Sequence, residues 1–193
     1  MLDPFEDHCW KDVVSPEIME IYTPYRRATF VGRRPALLAI DLNALLREVL
    51  TLYESLGGWI RVELAPNLPH IVGDPAQLRQ VIHNLLQNAQ DALIDSTNPS
   101  IVVRSEPVAD GMRVTITDNG SGFPEQLMQR AFEPYVTTKP KGTGLGLVIV
   151  KKIIEEHGGT VEIDNVAPHG ARVTFTLPAQ VAHATVSRTA ARA

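Results

Sequence analysis

The sequence has a single cysteine, Cys9, among 193 residues. One cysteine cannot form an intramolecular disulfide, and such scarcity is typical of proteins in a reducing compartment. The sequence also lacks an apolar run near the ~20 residues that span a bilayer, and it does not begin with a signal peptide. We therefore expect a cytoplasmic chain without membrane contact of its own, although a longer parent protein can still carry a membrane anchor.

An excess of basic residues is absent as well. The formal net charge is −4, whereas domains that bind nucleic acid usually present a basic face, so we expect no nucleic-acid partner. The hydrophobic content of 44% is enough to fill a core, and 21% charged residues suit a soluble surface. The length fits one domain of ordinary size with short tails.

The periodicity divides the chain into three parts. Residues 1–40 show no sustained period and predict a linker, with a short helix over Glu17–Tyr22. Residues 41–178 alternate between helical and strand periods and predict one folded domain. Residues 179–193, rich in Ala, Thr, Val and Arg, predict a disordered tail.

Within the folded domain the predicted order is helix, strand, helix, two strands, helix, two strands. Asp41 and Asp74 are predicted N-caps, and Pro75 suits the first helical position. We predict an α/β (α+β) sandwich in which a mixed, mostly antiparallel sheet of about five strands packs on three helices. The predicted helices cover 42–56, 75–94 and 145–157, a short one covers 124–132, and the strands cover 59–65, 100–106, 112–118, 160–165 and 171–177.

A polar line runs along the second predicted helix. Asn84, Asn88 and Asp91 recur at i, i+4 and i+7, beside an otherwise apolar surface. Asparagine is a mediocre helix former, and a stripe selected for solubility would favour Glu and Lys over amides. Amide carbonyl oxygen atoms in a row suit a hard cation such as Mg²⁺ that carries a phosphate group. A solvated stripe remains the alternative interpretation.

The stretch DNGSGFP follows the strand MRVTITD. Asp118 ends the strand, and Gly120 and Gly122 follow at alternate positions. Asp-Asn-Gly is strong turn chemistry, so a plain strand-to-helix turn is one interpretation. The other is a carboxylate that accepts hydrogen bonds from an amino group such as that of adenine, next to glycines that let a flat ring approach the backbone.

The stretch KGTGLGL runs directly into the third predicted helix. Gly142, Gly144 and Gly146 match neither the G-x-G-x-x-G dinucleotide fingerprint nor a Walker A loop. A glycine-rich loop at a helix N-terminus offers unpaired N–H groups and a positive dipole end, which favour phosphate binding. Lys139 and Lys141 flank the loop and can add positive charge.

Together these segments resemble the catalytic, ATP-binding domain of sensor histidine kinases, which has the GHKL or Bergerat fold. NLLQNAQDAL is similar to the N box of that family, DNGSGF to its first glycine box, FEPYVTTK to its F box and GTGLGL to its second glycine box. The resemblance covers roughly residues 41–178, and the lid sequence is most similar to that of the nitrogen-regulation sensors. Residues 1–40 would then include a remnant of the dimerisation and phosphoacceptor hairpin.

The resemblance implies a role for each matching residue, with ATP and Mg²⁺ as cofactors. Asn88 would coordinate Mg²⁺, Asp118 would read the adenine amine, and residues 132–141 would form a lid over ATP. Asn84 and Lys139 would have catalytic roles near the transferred phosphoryl group. The implied ATP-binding residues are Asn84, Asn88, Asp91, Asp118, Gly120, Gly122, Phe132, Thr138, Lys139, Lys141, Gly142, Thr143, Gly144, Leu145 and Gly146.

The phosphoacceptor motif of such kinases, similar to His-Glu-x-x-Asn-Pro, is missing. None of the six histidines is followed by an acidic residue, and we interpret His83 and His157 as structural. The implied function is transfer of the ATP γ-phosphoryl group to a histidine on a hairpin outside this chain, and then to a response regulator. We expect the chain alone not to phosphorylate itself. The alternatives are a nucleotide-binding module without kinase activity, or a serine kinase or ATPase with the same fold.

Overall fold

The computed structural model describes residues 37–53, 58–137, 139 and 142–179. The predicted helix at 17–22, most of the linker and most of the tail therefore lie outside the described residues. Within the described ranges, seven strands and four helices follow one another: β1 (Leu38–Ile40), α1 (Leu42–Thr51), β2 (Ile60–Leu64), β3 (Ile71–Gly73), α2 (Pro75–Asp91), β4 (Ile101–Val108), β5 (Gly111–Asp118), α3 (Glu125–Met128), α4 (Gly146–Glu156), β6 (Thr160–Asn165) and β7 (Ala171–Pro178).

The main sheet has five strands in the order β2-β4-β5-β7-β6. Strand β2 runs parallel to β4, and the other three neighbouring pairs are antiparallel. The parallel pair requires a crossover connection, which α2 provides, and a tight turn joins β4 to β5 with Val108 opposite Gly111. The predicted mixed, mostly antiparallel sheet is confirmed.

The three longer helices cover one face of this sheet. Alternate residues of the central strands point into the core, among them Val114 and Phe175, while their neighbours Thr115 and Thr174 are only partly buried. Helix α2 packs against α1, α4 and β5, so it lies at the centre of the helical layer. Among the described residues, no helix combines the length and apolar character that crossing a membrane requires.

Both predicted N-caps are confirmed. The Asp41 carboxylate accepts a hydrogen bond from Ala44 N at 3.1 Å, and that of Asp74 accepts one from Ala76 N at 2.8 Å. The helix ends differ from the prediction, because α1 stops at Thr51 and α2 at Asp91. In both cases the chain continues in tighter turns with i to i−3 hydrogen bonds, as the last residues of helices often do.

A second, two-stranded sheet was not predicted. Strands β1 and β3 pair antiparallel, with Ala39 opposite Val72. Each strand has three residues, which is too short for an alternating pattern to be recognised. Because the pairing is antiparallel, β1 leads to Asp41 at one end of this small sheet and β3 leads to Asp74 at the other.

Candidate functional site

A cleft of about 320 Å³ opens between α2, the C-terminal end of β5 and the N-terminal end of α4. The three sequence segments predicted to bind the nucleotide meet there, although they are far apart in the chain. The predicted residues that line the cleft are Asn84, Asn88, Asp91, Asp118, Gly122, Lys139, Gly142, Thr143, Gly144 and Gly146.

Three other predicted residues, Gly120, Phe132 and Leu145, are not among those that line the cleft. A Cβ atom at Gly120 would collide with the Ala92 carbonyl group, so glycine lets this turn pack against the end of α2. Leu145 is buried, and the Phe132 ring lies beneath Lys151 Nζ, 5.6 Å from the ring centroid. Their predicted contact with the nucleotide stays a prediction. The predicted residues Thr138 and Lys141 lie outside the described residues.

The polar line of α2 forms one wall. Asn84 is only 7% exposed, and its Nδ2 atom donates a hydrogen bond to the Gly146 carbonyl at 3.4 Å. Asn88 lies one turn further along, against the same glycine, since a Cβ atom at Gly146 would stand 3.8 Å from Asn88 Nδ2. The first residue of α4 is therefore held directly over the two asparagines.

Lys139 reaches across the cleft to the same wall. Its ammonium group donates hydrogen bonds to Asn88 Oδ1 at 3.0 Å and to Asp91 Oδ2 at 2.7 Å. The other oxygen of Asp91 accepts a hydrogen bond from Gln87 Nε2 at 2.8 Å. The oxygen atoms of this wall are thus arranged around a positive charge. Among the described residues, no group of three His, Cys, Asp or Glu side chains forms a metal site.

Asp118 lines the cleft from the C-terminal end of β5. The residue is 7% exposed, and its Oδ1 atom accepts hydrogen bonds from Gly120 N at 2.8 Å and Ala171 N at 3.3 Å. Burial raises the pKa of this carboxyl above its usual range, and the two backbone N–H donors oppose that shift. An ionised carboxylate accepts about four hydrogen bonds, so acceptor capacity remains for a ligand amine.

The second glycine cluster adopts a turn that requires glycine. Gly144 has φ +67°, and a Cβ atom there would approach the Tyr135 carbonyl carbon to 2.5 Å. The Gly144 carbonyl accepts a hydrogen bond from Tyr135 N at 3.2 Å, which fixes the turn against the preceding segment. Among the described residues, no side chain caps α4 at its N-terminus. The first N–H groups of α4 are therefore available to an anion at the cleft.

The apolar side of the cleft was missed by sequence reasoning. Many of its residues belong to strands and helices, where apolar spacing is the same for core positions as for cleft positions. No sequence pattern separates the two, because the difference is whether another element covers the residue. The additional lining residues are Leu85, Gln87, Ala89, Ala92, Ile116, Ser121, Phe123, Pro124, Leu127, Ala131, Leu147, Ala171 and Val173. Val136 and Thr137 also line the cleft and belong to the predicted lid.

Two histidines near this region make structural contacts. His157 accepts a hydrogen bond from Asp74 N through Nε2 at 3.0 Å, while its Nδ1 lies 2.7 Å from the Ile153 carbonyl. Because a carbonyl only accepts, Nδ1 carries the proton, and the ring links the end of α4 to the start of α2. His83 Nδ1 lies 2.7 Å from the Tyr53 hydroxyl.

The fold and the cleft define an ATP-binding domain of the kind found in histidine kinases. Residues 73–181 match the HATPase_c family, described as histidine kinase-, DNA gyrase B- and HSP90-like ATPases. The chain belongs to this family, and the domain is the catalytic ATP-binding domain of a sensor histidine kinase.

Similar proteins agree with this assignment. The chain is 37% identical over 150 residues to the sensor histidine kinase ZraS of Escherichia coli O157:H7, which covers 76% of this chain and 32% of ZraS. It is 45% identical over 98 residues to an NtrY-like sensor histidine kinase of Rickettsia bellii, covering 51% of this chain and 16% of that protein. The chain thus spans less than a third of these curated relatives. The solved catalytic domain of histidine kinase ThkA is 36% identical, with a TM-score of 0.64 over 74% of this chain and 95% of that one.

Proposed function

We propose that this domain transfers the γ-phosphoryl group of ATP to a histidine on a separate helical hairpin, which then passes it to the receiver domain of a response regulator. The observation that carries the proposal is the cleft itself, which is lined both by a buried carboxylate and by an uncapped helix N-terminus. We propose that the reaction takes place in the cytoplasm, in keeping with the single cysteine.

Different residues of the chain bind different parts of the nucleotide. The Asp118 carboxylate accepts a hydrogen bond from the exocyclic amine of adenine, while the apolar wall around Ile116 and Val173 contacts the ring. The N–H groups at the start of α4 bind phosphate oxygens, and Lys139 adds positive charge beside them. Phosphoryl transfer depends mainly on positioning and charge neutralisation, so these groups suffice without a strong base. Asn84 orients the phosphate end through Gly146.

The donor set also fits Mg²⁺. The Asn88 Oδ1 atom already faces a cation, the ammonium group of Lys139, at 3.0 Å. Amide oxygen is a ligand that Mg²⁺ accepts, and Mg²⁺ in nucleotide sites takes few protein ligands. When bound, the metal would neutralise phosphate charge. Asn88 would hold it, and Lys139 would then be free to contact the phosphate chain instead.

The acceptor histidine must come from elsewhere. None of the six histidines stands before an acidic residue, and His83 and His157 are held in the contacts described above. A hairpin supplied separately lacks the high effective concentration of a covalent link, so transfer should be slow and should rise with added hairpin.

The proposal is tested with labelled ATP. The purified chain is incubated with Mg-ATP alone, and then with increasing amounts of a histidine hairpin from a nitrogen-regulation sensor. We expect acid-labile, alkali-stable label on the hairpin and none on this chain. Tight ATP binding without label on any hairpin would favour a nucleotide-binding module, and label on the chain alone would overturn the need for an outside acceptor.

A further inference from the structure

The turn after β5 has no regular secondary structure, yet it forms part of the base end of the cleft. Gly122 and Phe123 line the cleft within five residues of Asp118. Gly122 has φ +72°, a conformation that favours glycine and does not by itself fix the direction of the next peptide. Other elements must therefore hold this turn in place.

Asn165, the last residue of β6, makes the most direct contact with the turn. Its Oδ1 atom accepts a hydrogen bond from Phe123 N at 2.7 Å, and its Nδ2 atom donates one to the Phe123 carbonyl at 2.8 Å. The two bonds are reciprocal, so a rotated amide group would place donor against donor and acceptor against acceptor. The Asn165 side chain is thus fixed in one orientation and in turn fixes both polar groups of Phe123.

Gly122 leaves space for this contact, and two further hydrogen bonds join the β6–β7 hairpin to the segment that begins at Asp118. A Cβ atom at Gly122 would stand 2.8 Å from Asn165 Oδ1, so only glycine permits the approach. Further along the β6–β7 connection, the His169 Nδ1 atom lies 2.8 Å from the Asn119 carbonyl. The Ala171 N–H donates to Asp118. The β6–β7 hairpin therefore contacts the turn after β5 at its start and at its end.

We infer that Asn165 is a positioning residue for adenine recognition. The inference rests on the proposed function and deepens it. Asn165 does not line the cleft but acts through Phe123, whose peptide plane sets the place of Gly122 and Phe123 opposite Asp118. The effect should concern the base of the nucleotide, because the turn that Asn165 holds follows Asp118, the residue that we propose to bind adenine.

The test compares nucleotide affinities in the parent chain, Asn165→Ala and Asn165→Asp by calorimetry. Loss of two reciprocal hydrogen bonds should weaken ATP and ADP by the same factor, about 3- to 10-fold, in Asn165→Ala. Asn165→Asp keeps the acceptor for Phe123 N but places its second carboxylate oxygen against the Phe123 carbonyl, so it should also weaken ATP and ADP by the same factor. The response of ATP affinity to Mg²⁺ should be unchanged in both.

The matched control is Thr160→Ala in the same hairpin. Thr160 Oγ1 lies 2.7 Å from Thr176 Oγ1, so this variant also loses a side-chain hydrogen bond, but at the end of β6 away from the cleft. It should lower the melting temperature without changing either affinity. A loss of affinity in Thr160→Ala as large as that in Asn165→Ala would mean general destabilisation and would overturn the positioning role.

The remaining outcomes separate this inference from the proposed function. Equal ATP affinity in the parent and Asn165→Ala would overturn the role of Asn165 alone. A loss for ATP with unchanged ADP affinity would also overturn it, because the effect would then lie at the phosphate end. A parent chain that binds no nucleotide would overturn the proposed function itself, and the role of Asn165 with it.

Discussion

The Nζ atom of Lys139 and the Oδ1 atom of Asn88 lie 3.0 Å apart, although the two residues are 51 positions apart in the chain. Asn88 belongs to a long helix with a confirmed N-cap, whereas Lys139 lies within the predicted lid segment. The contact places a positive charge on the atom that we propose as a metal ligand. Lys139 and Mg²⁺ would therefore compete for that atom, so substitutions of Lys139 and of Asn88 test the proposal.

Lys139→Ala should slow phosphoryl transfer more than it changes stability. Because a hydrogen bond from a charged donor is lost, the rate of label transfer to added hairpin at saturating ATP should fall roughly 10- to 150-fold. Its ion pair with Asp91 is partly exposed, so the free energy of unfolding should change by less than about 1 kcal/mol. Arg113→Ala removes an ion pair with Glu106 on the opposite face of the sheet and serves as the control. Equal transfer rates in Lys139→Ala and the parent would contradict a catalytic role.

Asn88→Ala should abolish the response of ATP affinity to Mg²⁺. The substitution removes the proposed ligand oxygen while the apolar side of α2 remains intact, so circular dichroism should be unchanged. Asn88→Asp keeps an oxygen at the same position and should retain a Mg²⁺ response. Titrations of ATP with and without Mg²⁺ measure the effect. If Asn88→Ala still responds to Mg²⁺ as the parent does, Asn88 belongs to a solvated stripe.

Asp118→Asn should bind ATP more weakly yet stabilise the free protein at neutral pH. Removal of the charged acceptor should cost roughly 10- to 150-fold in ATP affinity. The folded-state pKa of Asp118 is raised by burial, so ionisation of this group opposes folding at neutral pH. As pH falls through that raised pKa, the folded parent takes up a proton first and recovers stability.

The stability difference between Asp118→Asn and the parent should therefore be largest near neutral pH. The part of this difference that depends on pH should disappear below the unfolded-state pKa of about 3.9, where the carboxyl is protonated in both states. Urea unfolding of both proteins at several pH values measures this difference. A parent that is more stable than Asp118→Asn at neutral pH would mean that the backbone hydrogen bonds to the carboxylate outweigh its burial.

Gly146→Ala and Gly144→Ala should have opposite effects on stability. A Cβ atom at Gly146 meets only Asn88, at 3.8 Å, so alanine in this helical position should stabilise by about 0.4–1 kcal/mol. Gly144 has φ +67° and lies against the backbone of Tyr135, so alanine there should destabilise. Both variants should weaken ATP binding, since both positions line the cleft. Chemical unfolding and calorimetry separate the two effects, and unchanged affinity in the stabilised Gly146→Ala would contradict the phosphate assignment.

The helices and the main sheet could be predicted because their signals are local. Asp41 and Asp74 precede apolar residues at helical spacing, and the two hairpins show alternating residues around turns. Strands β1 and β3 could not be predicted, since three residues carry no period and their pairing depends on the packing of α1 beside α2. Helices α1 and α2 end earlier than predicted because their closing turns depend on tertiary contacts of residues such as Tyr53, which is buried.

The candidate site could be predicted where its residues are contiguous in the sequence. The two glycine clusters and the polar line of α2 are short motifs, and the structure brings them to one cleft. Asn165 gave no such signal, because an exposed asparagine at a strand end is ordinary and its partner Phe123 is 42 residues away. The apolar wall was missed for a related reason, since burial by a ligand and burial by another element require the same residue types.

The position of β7 in the sheet also determines how late in synthesis the domain can finish folding. Strand β7 is the last strand among the described residues, yet it lies between β5 and β6 rather than at an edge. During synthesis, β5 and β6 emerge first and have no partner on their facing sides until residues 171–178 follow. Unpaired strand edges of this kind are prone to aggregate. A nascent chain halted before Ala171 should therefore remain sensitive to proteases and bind chaperones, whereas one released after Pro178 should resist both.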